Sequence, residues 1–552
     1  LRQVHPIAVT ALAAVVLLAP SFLLGTLDSH SSPHNLVWAA QFSEQFRAGI
    51  LYPRWMPDSF DGLGAPSFYF YPPLAFWLDG LLAAATFDVL PVSYRLSLTA
   101  GLLLWASGLA MYAWLRSEQV ERRVALIGAL GYMAAPYHLF DHYVRGAIAE
   151  FAAYALLPLV ILGIGQVADR RRSGAVLLAA AYGALLLAHL PTGLLISVTV
   201  IPAYGLFRAW HLADKRAVAG FAARCVLAGI LGLGLAALYV VPAIALLHTI
   251  SIEYLWSAGF QVETWFLFTP HRWLPPHHVM LMIVFISAAW CLAAAAAIAA
   301  ARQVGSDDDR RARTLFWAAL GLASLVLMSG LVPWFWSAVP MLSKVQFPWR
   351  LLIVVEFAAI TALCLLPWAS LRQARSFARR AVVVVVAVTA GVIGSSVAQR
   401  IDHTLSGKGT PPQDAKEYLP AGYPLRDGSD YYDLGLEPVE AVPAIVCLPA
   451  PRLCRLSQQP FGNLRVEIES DAPTTVIVKR FFFPSWYLDP ALPLSASEPL
   501  RLISFSAPAG NHTYALQRAA LTDEKVGWTI SGLSLVLLLA WAALAWRRVR
   551  FT

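Results

Sequence analysis

Long apolar runs dominate the chain, at roughly 6–27, 95–115, 123–139, 148–166, 175–190, 192–207, 222–245, 278–300, 315–332, 351–369, 381–398 and 526–546. A backbone segment in hydrocarbon must satisfy its own hydrogen bonds, so a run of about 20 apolar residues reads as a spanning helix. The pattern predicts about twelve transmembrane helices. Between residues 400 and 524 the period changes. Leu464-Arg465-Val466-Glu467-Ile468 and Thr475-Val476-Ile477-Val478-Lys479 alternate as half-buried strands do, with turn residues between them. The expectation is an all-α polytopic membrane protein with a small outer β-sandwich domain. Its parts are a membrane core over 1–399 whose first outer loop is 28–94, a β-rich domain over 400–524, and a final helix with a basic tail over 525–552.

Charge then decides how the runs are threaded. If they alternate, six basic clusters fall on one side: Arg116/Arg122/Arg123, Arg170/Arg171/Arg172, Lys215/Arg216/Arg224, Arg310/Arg311/Arg313, Arg372/Arg375/Arg379/Arg380 and Arg547/Arg548/Arg550. The positive-inside rule makes that side cytoplasmic, with both termini. Counting Leu74 to Leu90 as a further span would invert every later loop. It is therefore laid in the interface, in keeping with Tyr71-Pro72-Pro73 at its start and Asp79 within it. The opposite, periplasmic side receives the first loop, the short loop from Asp141 to Arg145, two Trp- and Pro-rich loops (251–277 and 332–349) and the β-rich domain. The run from His5 to Leu27 is too long for a cleaved signal peptide and reads as the first membrane helix; the start at Leu1 implies that residues precede it.

Composition agrees. With 58% hydrophobic and 13% charged residues and a mean hydropathy of +0.61, an ordinary soluble domain is excluded. The net charge of +8 lies in short clusters between apolar runs rather than on one face, which argues against a nucleic-acid partner. Cys225, Cys291 and Cys364 stand singly in apolar segments. Cys447 and Cys454 lie close together in the polar stretch, a candidate disulfide of an oxidising compartment or two free thiols. No strong internal repeat supports a transporter built from two inverted halves.

The candidate chemistry starts just beyond the first helix, at Asp28-Ser29-His30-Ser31-Ser32-Pro33-His34. A carboxylate at headgroup level can take the proton of an acceptor hydroxyl, or ligate a divalent cation (Mg or Mn) that neutralises a leaving phosphate. The plainer alternative is that Asp28 ends the helix and that His30 and His34 are solvated. Glu150, His189 and Glu356 lie in or beside apolar segments, where an ionisable group needs a polar cavity or a partner. Arg95, Arg145, Lys344 and Arg350 approach the same level, and guanidinium groups suit phosphate. Internal ion pairs, such as Arg145 with Glu150 or Arg350 with Glu356, explain the same residues.

Several motifs carry a resemblance: Tyr52-Pro53-Arg54-Trp55, Gly62-Leu63-Gly64-Ala65-Pro66 and Tyr71-Pro72-Pro73-Leu74 after Asp28; Arg145-Gly146-Ala147 followed by Glu150 and Pro158; Ala188-His189-Leu190-Pro191-Thr192; Val345-Gln346-Phe347-Pro348-Trp349-Arg350; and, near the end, Phe482-Phe483-Pro484-Ser485-Trp486 and Pro508-Ala509-Gly510-Asn511-His512. Together they resemble a bacterial multi-spanning family described as 6-pyruvoyl-tetrahydropterin synthase-related, itself similar to the GT-C glycosyltransferases. The resemblance implies a GT-C-like fold, with an acidic residue of the first outer loop as the catalytic element. Asp28 is the match by position. A second acidic residue would come from the next outer loop, where Asp141 and then Glu150 stand. The first loop has no Asp-Asp pair, a departure from the metal site of some relatives.

The expected activity is transfer of a sugar from a polyprenyl-phosphate donor to a glycan, lipid or protein acceptor at the outer face of a bacterial inner membrane. Asp28 and Glu150 would be catalytic. His30, His34, Arg54, Arg95, Asp141, Arg145, His189, Lys344, Gln346 and Arg350 would contact substrate. A flippase for lipid-linked glycans, or a non-catalytic glycan-assembly factor, are the alternatives. A flippase needs polar groups across the midplane, whereas these gather toward one face.

Overall fold

The computed structural model describes residues 5–252, 260–269, 278–303, 308–367, 372–411, 413–424 and 442–547. The basic tail from 548 onward and the side chains of Arg372 and Arg375 lie outside them. Each of the twelve apolar runs is helical over its described part, and among the described residues nine helices are long and apolar enough to cross a membrane. The rest are shortened or broken for local reasons. The first run divides into Pro6–Leu17 and Ala19–Leu24 beside Pro20, which has no N–H for the ladder. The run at 123–139 divides into Arg122–Met133 and Pro136–Phe140. Gly174–Ala188 ends at His189, extended at φ −159°, ahead of Pro191 in the first turn of the next helix. One run is longer than expected: the last core helix continues through Gly394–Leu405, so Arg400 and His403 extend that helix rather than open the β-rich domain.

The break before Pro136 explains Glu356. A helix start leaves backbone N–H groups without partners, which hydrocarbon does not tolerate. Glu356, buried in Leu352–Leu365, accepts from Tyr137 N at 2.7 Å and His138 N at 3.3 Å, and also from Trp290 Nε1 at 2.9 Å and Tyr154 Oη at 3.1 Å. It closes the broken helix and is not the partner of Arg350.

Leu74–Ala85 forms a helix of 12 residues, about 18 Å long and too short to span. Arg95, fully buried on Val92–Ser117, fixes it in place. Its Nε meets Asp79 at 3.0 Å, Nη1 meets Asp88 at 2.6 Å and Nη2 meets Ser43 Oγ at 2.7 Å. Ser43 belongs to the helix Ser32–Arg47, so one guanidinium clamps the two longest helices of the first loop to a span.

The β-rich domain is a sandwich. Its strands are β1 (Ile445–Leu448), β2 (Leu453–Gln458), β3 (Leu464–Ser470), β4 (Thr474–Phe481), β5 (Trp486–Asp489), β6 (Ser495–Ser497), β7 (Leu502–Ala507) and β8 (Gly510–Arg518). They form two four-stranded antiparallel sheets, ordered β1-β4-β7-β6 and β2-β3-β8-β5. Alternate residues of the inner strands, such as Val466, Ile468, Val476, Val478, Phe505 and Leu516, fill the space between. Cys447 and Cys454 are bonded, with Cα atoms 6.5 Å apart. The bond joins β1 to β2, the edge strands of different sheets, and so staples the sandwich at one margin. Cys447→Ser should lower the stability of this domain by about 2 kcal/mol, the chain-entropy value for so short a loop. Thermal unfolding of the full chain, followed with and without reductant, checks this: reductant should move the wild type and leave the variant unmoved.

The sandwich rests on the first loop. Phe481 N donates to Leu63 O at 2.9 Å, and Arg480 donates to the carbonyls of Pro57 and Gly62. Trp55 meets Trp486 edge-on at 5.5 Å. Gly64, at φ +83°, lies so close beneath Trp55 that a Cβ there would come within 2.3 Å of the indole. The Gly- and aromatic-rich motifs of the first loop and the Phe482–Trp486 motif are thus the two faces of one joint.

Candidate active site

Three chain segments converge at one end of the helix Ile148–Ala168, whose 21 residues place the basic cluster at Arg170 to Arg172 about 30 Å away. The first is the π-turn Asp141–Arg145, closed by Gly146 in the left-handed region at φ +63°. A side chain at Gly146 would collide with Ser29 Oγ, so the Asp28 loop packs directly on this turn. His30 N donates to Val144 O at 3.2 Å and Ser31 N to Arg145 O at 2.8 Å. From Ser31 back to Asp28 is at most about 10 Å of chain. The third segment, Val345 to Arg350, arrives from the later Trp-rich loop.

Glu150 is the centre of this convergence. Its Oε1 accepts from Tyr137 Oη at 2.6 Å, and its Oε2 accepts from Arg145 Nη1 at 2.5 Å and Arg350 Nε at 3.1 Å. The same Arg145 Nη1 also meets Asp141 Oδ1 at 2.7 Å and Tyr137 Oη at 3.1 Å. Arg145 therefore makes its side-chain bonds to Glu150, Asp141 and Tyr137 through one nitrogen. Its Nε and Nη2 have no hydrogen-bond partner among the described residues, and the side chain stays 13% exposed. Arg350 uses Nε on Glu150 and Nη1 on Val345 O, which leaves Nη2 in the same condition. The Phe347 ring lies beneath both guanidinium groups, at 5.6 Å from Arg145 and 5.1 Å from Arg350, and stacks on Trp349 at 4.6 Å.

Asp141 is fully buried and its Oδ2 has no hydrogen-bond partner among the described residues. Burial, then the neighbouring Glu150 charge, raises its carboxyl well above the usual carboxylate range, against the pull of Arg145. His30 reaches solvent with its ring and yet sits deep among other groups. The enclosure, reinforced by Arg145, His34 and Arg400, lowers its imidazole to about 4. His34 bonds Gln413 O at 2.8 Å and stacks on Trp38.

Asp28 is 10% exposed and is met by groups that spacing did not single out. Thr410 N donates to Oδ1 at 3.2 Å; Arg400 Nη1 and His403 Nδ1 approach Oδ2 at 3.5 and 3.6 Å. Arg400 and His403 stand three apart on one helix and so share a face. That spacing at the polar end of an apolar run was the signal available in the sequence. A guanidinium and a backbone N–H against a carboxylate do not suit a divalent cation, and among the described residues no three His, Cys, Asp or Glu side chains converge as metal ligands. The Mg or Mn expectation does not fit this site, and no step below uses a metal.

The other expected site residues divide. His189 bonds Thr192 at 2.8 Å and feels the charges of Arg350 and Glu150, so it borders the cluster. Gln346, at φ +69°, and the exposed Lys344 belong to the arriving loop. Arg54 and Arg95 are not brought in. Arg54 pairs with Glu524 at 3.0 Å, bonds Leu238 O at 2.6 Å and lies over the Tyr52 ring, tying the first loop to the final helix. Arg95 has its donors committed to Asp79, Asp88 and Ser43, as above. Of the two ion pairs expected as an alternative, Arg145 with Glu150 is present and Arg350 with Glu356 is replaced by Arg350 with Glu150.

These features define a multi-pass membrane protein with a charged cluster at one end of its helices and a β-sandwich packed on its first outer loop. More particularly, residues 68–401, more than half of the chain, match the model of the 6-pyruvoyl-tetrahydropterin synthase related domain, a membrane protein family, and the chain belongs to that family. No curated protein matches it in sequence. Among solved structures it is similar to the arabinofuranosyltransferase AftD from Mycobacteria, seen by single-particle cryo-EM, with a TM-score of 0.42 and 16% identity over 71% of this chain and 27% of that one. A mutant of AftD gives a TM-score of 0.40 and 18% identity over 69% and 28%. The chain thus spans less than a third of the length of those chains.

Proposed function

We propose that this protein is a GT-C-type glycosyltransferase that moves a sugar from a polyprenyl-phosphate donor to an acceptor hydroxyl at the periplasmic face of a bacterial inner membrane, with both termini cytoplasmic. The observation that carries the reading is the pair of guanidinium groups that meet at Glu150. Arg145 and Arg350 turn one edge to Glu150 and keep Nε and Nη2 of the first and Nη2 of the second for a ligand. Donors arranged so match the oxygens of a phosphate diester. Burial and the Glu150 charge push the Asp141 carboxyl toward its neutral form, against the pull of Arg145.

In the reaction the acceptor oxygen bonds to the anomeric carbon while the bond from that carbon to the phosphate oxygen breaks. The electron pair leaves with polyprenyl phosphate, whose growing charge Arg145 and Arg350 stabilise in a site of low dielectric. Asp28 accepts the acceptor's proton, and Arg400 and His403 hold its carboxylate in position. Glu150 acts as a positioning residue, since both its oxygens are engaged by groups it orients. The collection of these groups at one end of the helices favours transfer over movement of an intact lipid across the midplane.

Proteoliposomes containing the protein and a polyprenyl-phosphate sugar test this. Release of polyprenyl phosphate together with glycosylated acceptor is the expected result. Movement of the intact lipid between leaflets without release would overturn it.

A further inference from the structure

Among the described residues, two concave regions that lie apart from this charged cluster share a wall. One, of about 430 Å³, is the cleft between the first outer loop and the sandwich, floored by Gln45 and Arg480 and flanked by Asp58 and Asp61. The other, of about 570 Å³, lies on the outer face of the β2-β3-β8-β5 sheet. Both volumes fall in the range of about 300–1,000 Å³ usual for small-molecule clefts. Gln459, Phe461 and Leu464 line both, so the two adjoin at the Phe461 turn, and we take them together as one groove.

The sheet explains the second depression. Antiparallel register sets Arg465 opposite Ala515, and Ala515 opposite Asp489. The short Ala515 between two long polar side chains leaves a trough, and Thr513 and Gln517, two residues either side along β8, continue it on the same face. Phe461 stands over the join with φ +59°, next to Gly462 at φ +76°. Across the cleft, Phe60 and Asp61 are likewise left-handed, at φ 52° and 53°. Bulky residues hold that region at a cost, and such strain gathers where side chains are presented to ligands. In the floor, Gln45 and Arg480 are 2% and 5% exposed, and Gln45 Oε1 and Arg480 Nε have no hydrogen-bond partner among the described residues.

The chemistry of the walls selects the occupant. Amide side chains, which both donate and accept, line each half, as hydroxyl groups require. Glu44, Asp58, Asp61 and Asp489 outnumber Lys479, Arg465 and Arg480, and Arg480 is already bound to the carbonyls of Pro57 and Gly62 and to Gln458. A polyanion is therefore disfavoured. A partly exposed aromatic ring between two polar troughs offers an apolar face to a sugar ring. Hydrogen bonds also tie the first-loop wall of the groove to the segment that carries His34. Phe60 N donates to Asp414, and its neighbour Gln413 accepts from His34, four residues from His30.

We propose that this groove binds a neutral oligosaccharide of several sugar units, and that it is the acceptor glycan of the transfer reaction. The second half of that statement rests on the transferase reading; the first does not. The test is direct binding to the full chain in nanodiscs, using fluorescent hexasaccharides of dextran, mannan and arabinan, with a hexamer of galacturonate as the anionic probe. At least one neutral hexasaccharide should bind and the anionic one should not. Phe461→Gly, which removes the ring while suiting the positive φ, and Ala515→Trp, which fills the trough, should each weaken binding about tenfold or more. Failure of every neutral probe, or unchanged binding by both variants, overturns the proposal. Binding needs no turnover. A groove that binds glycan in a protein that releases no polyprenyl phosphate would sink the transferase reading alone, and transfer without glycan binding would sink the groove alone.

Discussion

Asp28→Asn should reduce sugar transfer by about 10²–10⁴-fold, the range that a positioned general base contributes, while the protein folds and inserts as before. Asparagine keeps the shape of the side chain and an oxygen for Thr410 N. It cannot take a proton from the acceptor. The loss of charge beside Arg400 and His403, which are 19% and 32% exposed, should cost at most about 1 kcal/mol, as for other solvent-reached pairs. Rate and stability therefore separate in this variant. The measurement is polyprenyl phosphate released per minute, set against thermal unfolding of the same preparation. A variant that keeps transfer within about tenfold of the wild type would reduce Asp28 to the residue that ends the first helix.

The helical architecture was legible because hydrocarbon leaves the chain little choice: among the described residues the twelve apolar runs become helical regions, with prolines at 20, 136 and 191 beside three of the breaks. The sandwich and the Cys447–Cys454 bond were legible for similar reasons, a period of two and a pair of close cysteines in a polar stretch. The site was legible only in part. Arg145, Glu150 and Arg350 could be singled out as ions in apolar surroundings, but their pairing depends on a turn and a loop 200 residues apart meeting at Glu150. Arg95 raised the same signal and proved to be a clamp, because its carboxylate partners Asp79 and Asp88 lie on an interfacial helix and just beyond it, where hydropathy says nothing about side-chain direction. Glu356 did likewise: what it neutralises is not an arginine but the open start of a broken helix, and no count of charged residues shows a backbone N–H.

Glu150→Gln should destabilise the protein by about 3–5 kcal/mol, the usual cost of removing one partner from a buried ion pair. The substitution keeps volume but inverts function at one atom. Where Oε2 accepts from both Arg145 and Arg350, an amide must place either an oxygen, leaving its NH₂ toward Tyr137, or a second donor against two guanidinium donors. Arg145 retains Asp141, whose carboxyl is then drawn to ionise; Arg350, 7% exposed, retains only the Val345 carbonyl. Removing the stranded charge as well should recover part of the loss, so Glu150→Gln with Arg350→Gln should be more stable than the sum of the two single variants, by a coupling of about 0.5–3 kcal/mol. Thermal unfolding of the four proteins of that cycle reads the coupling. Additive losses would mean that the two side chains do not hold one another, and the guanidinium pair would then lack the fixed edge on which phosphate recognition by this cluster depends.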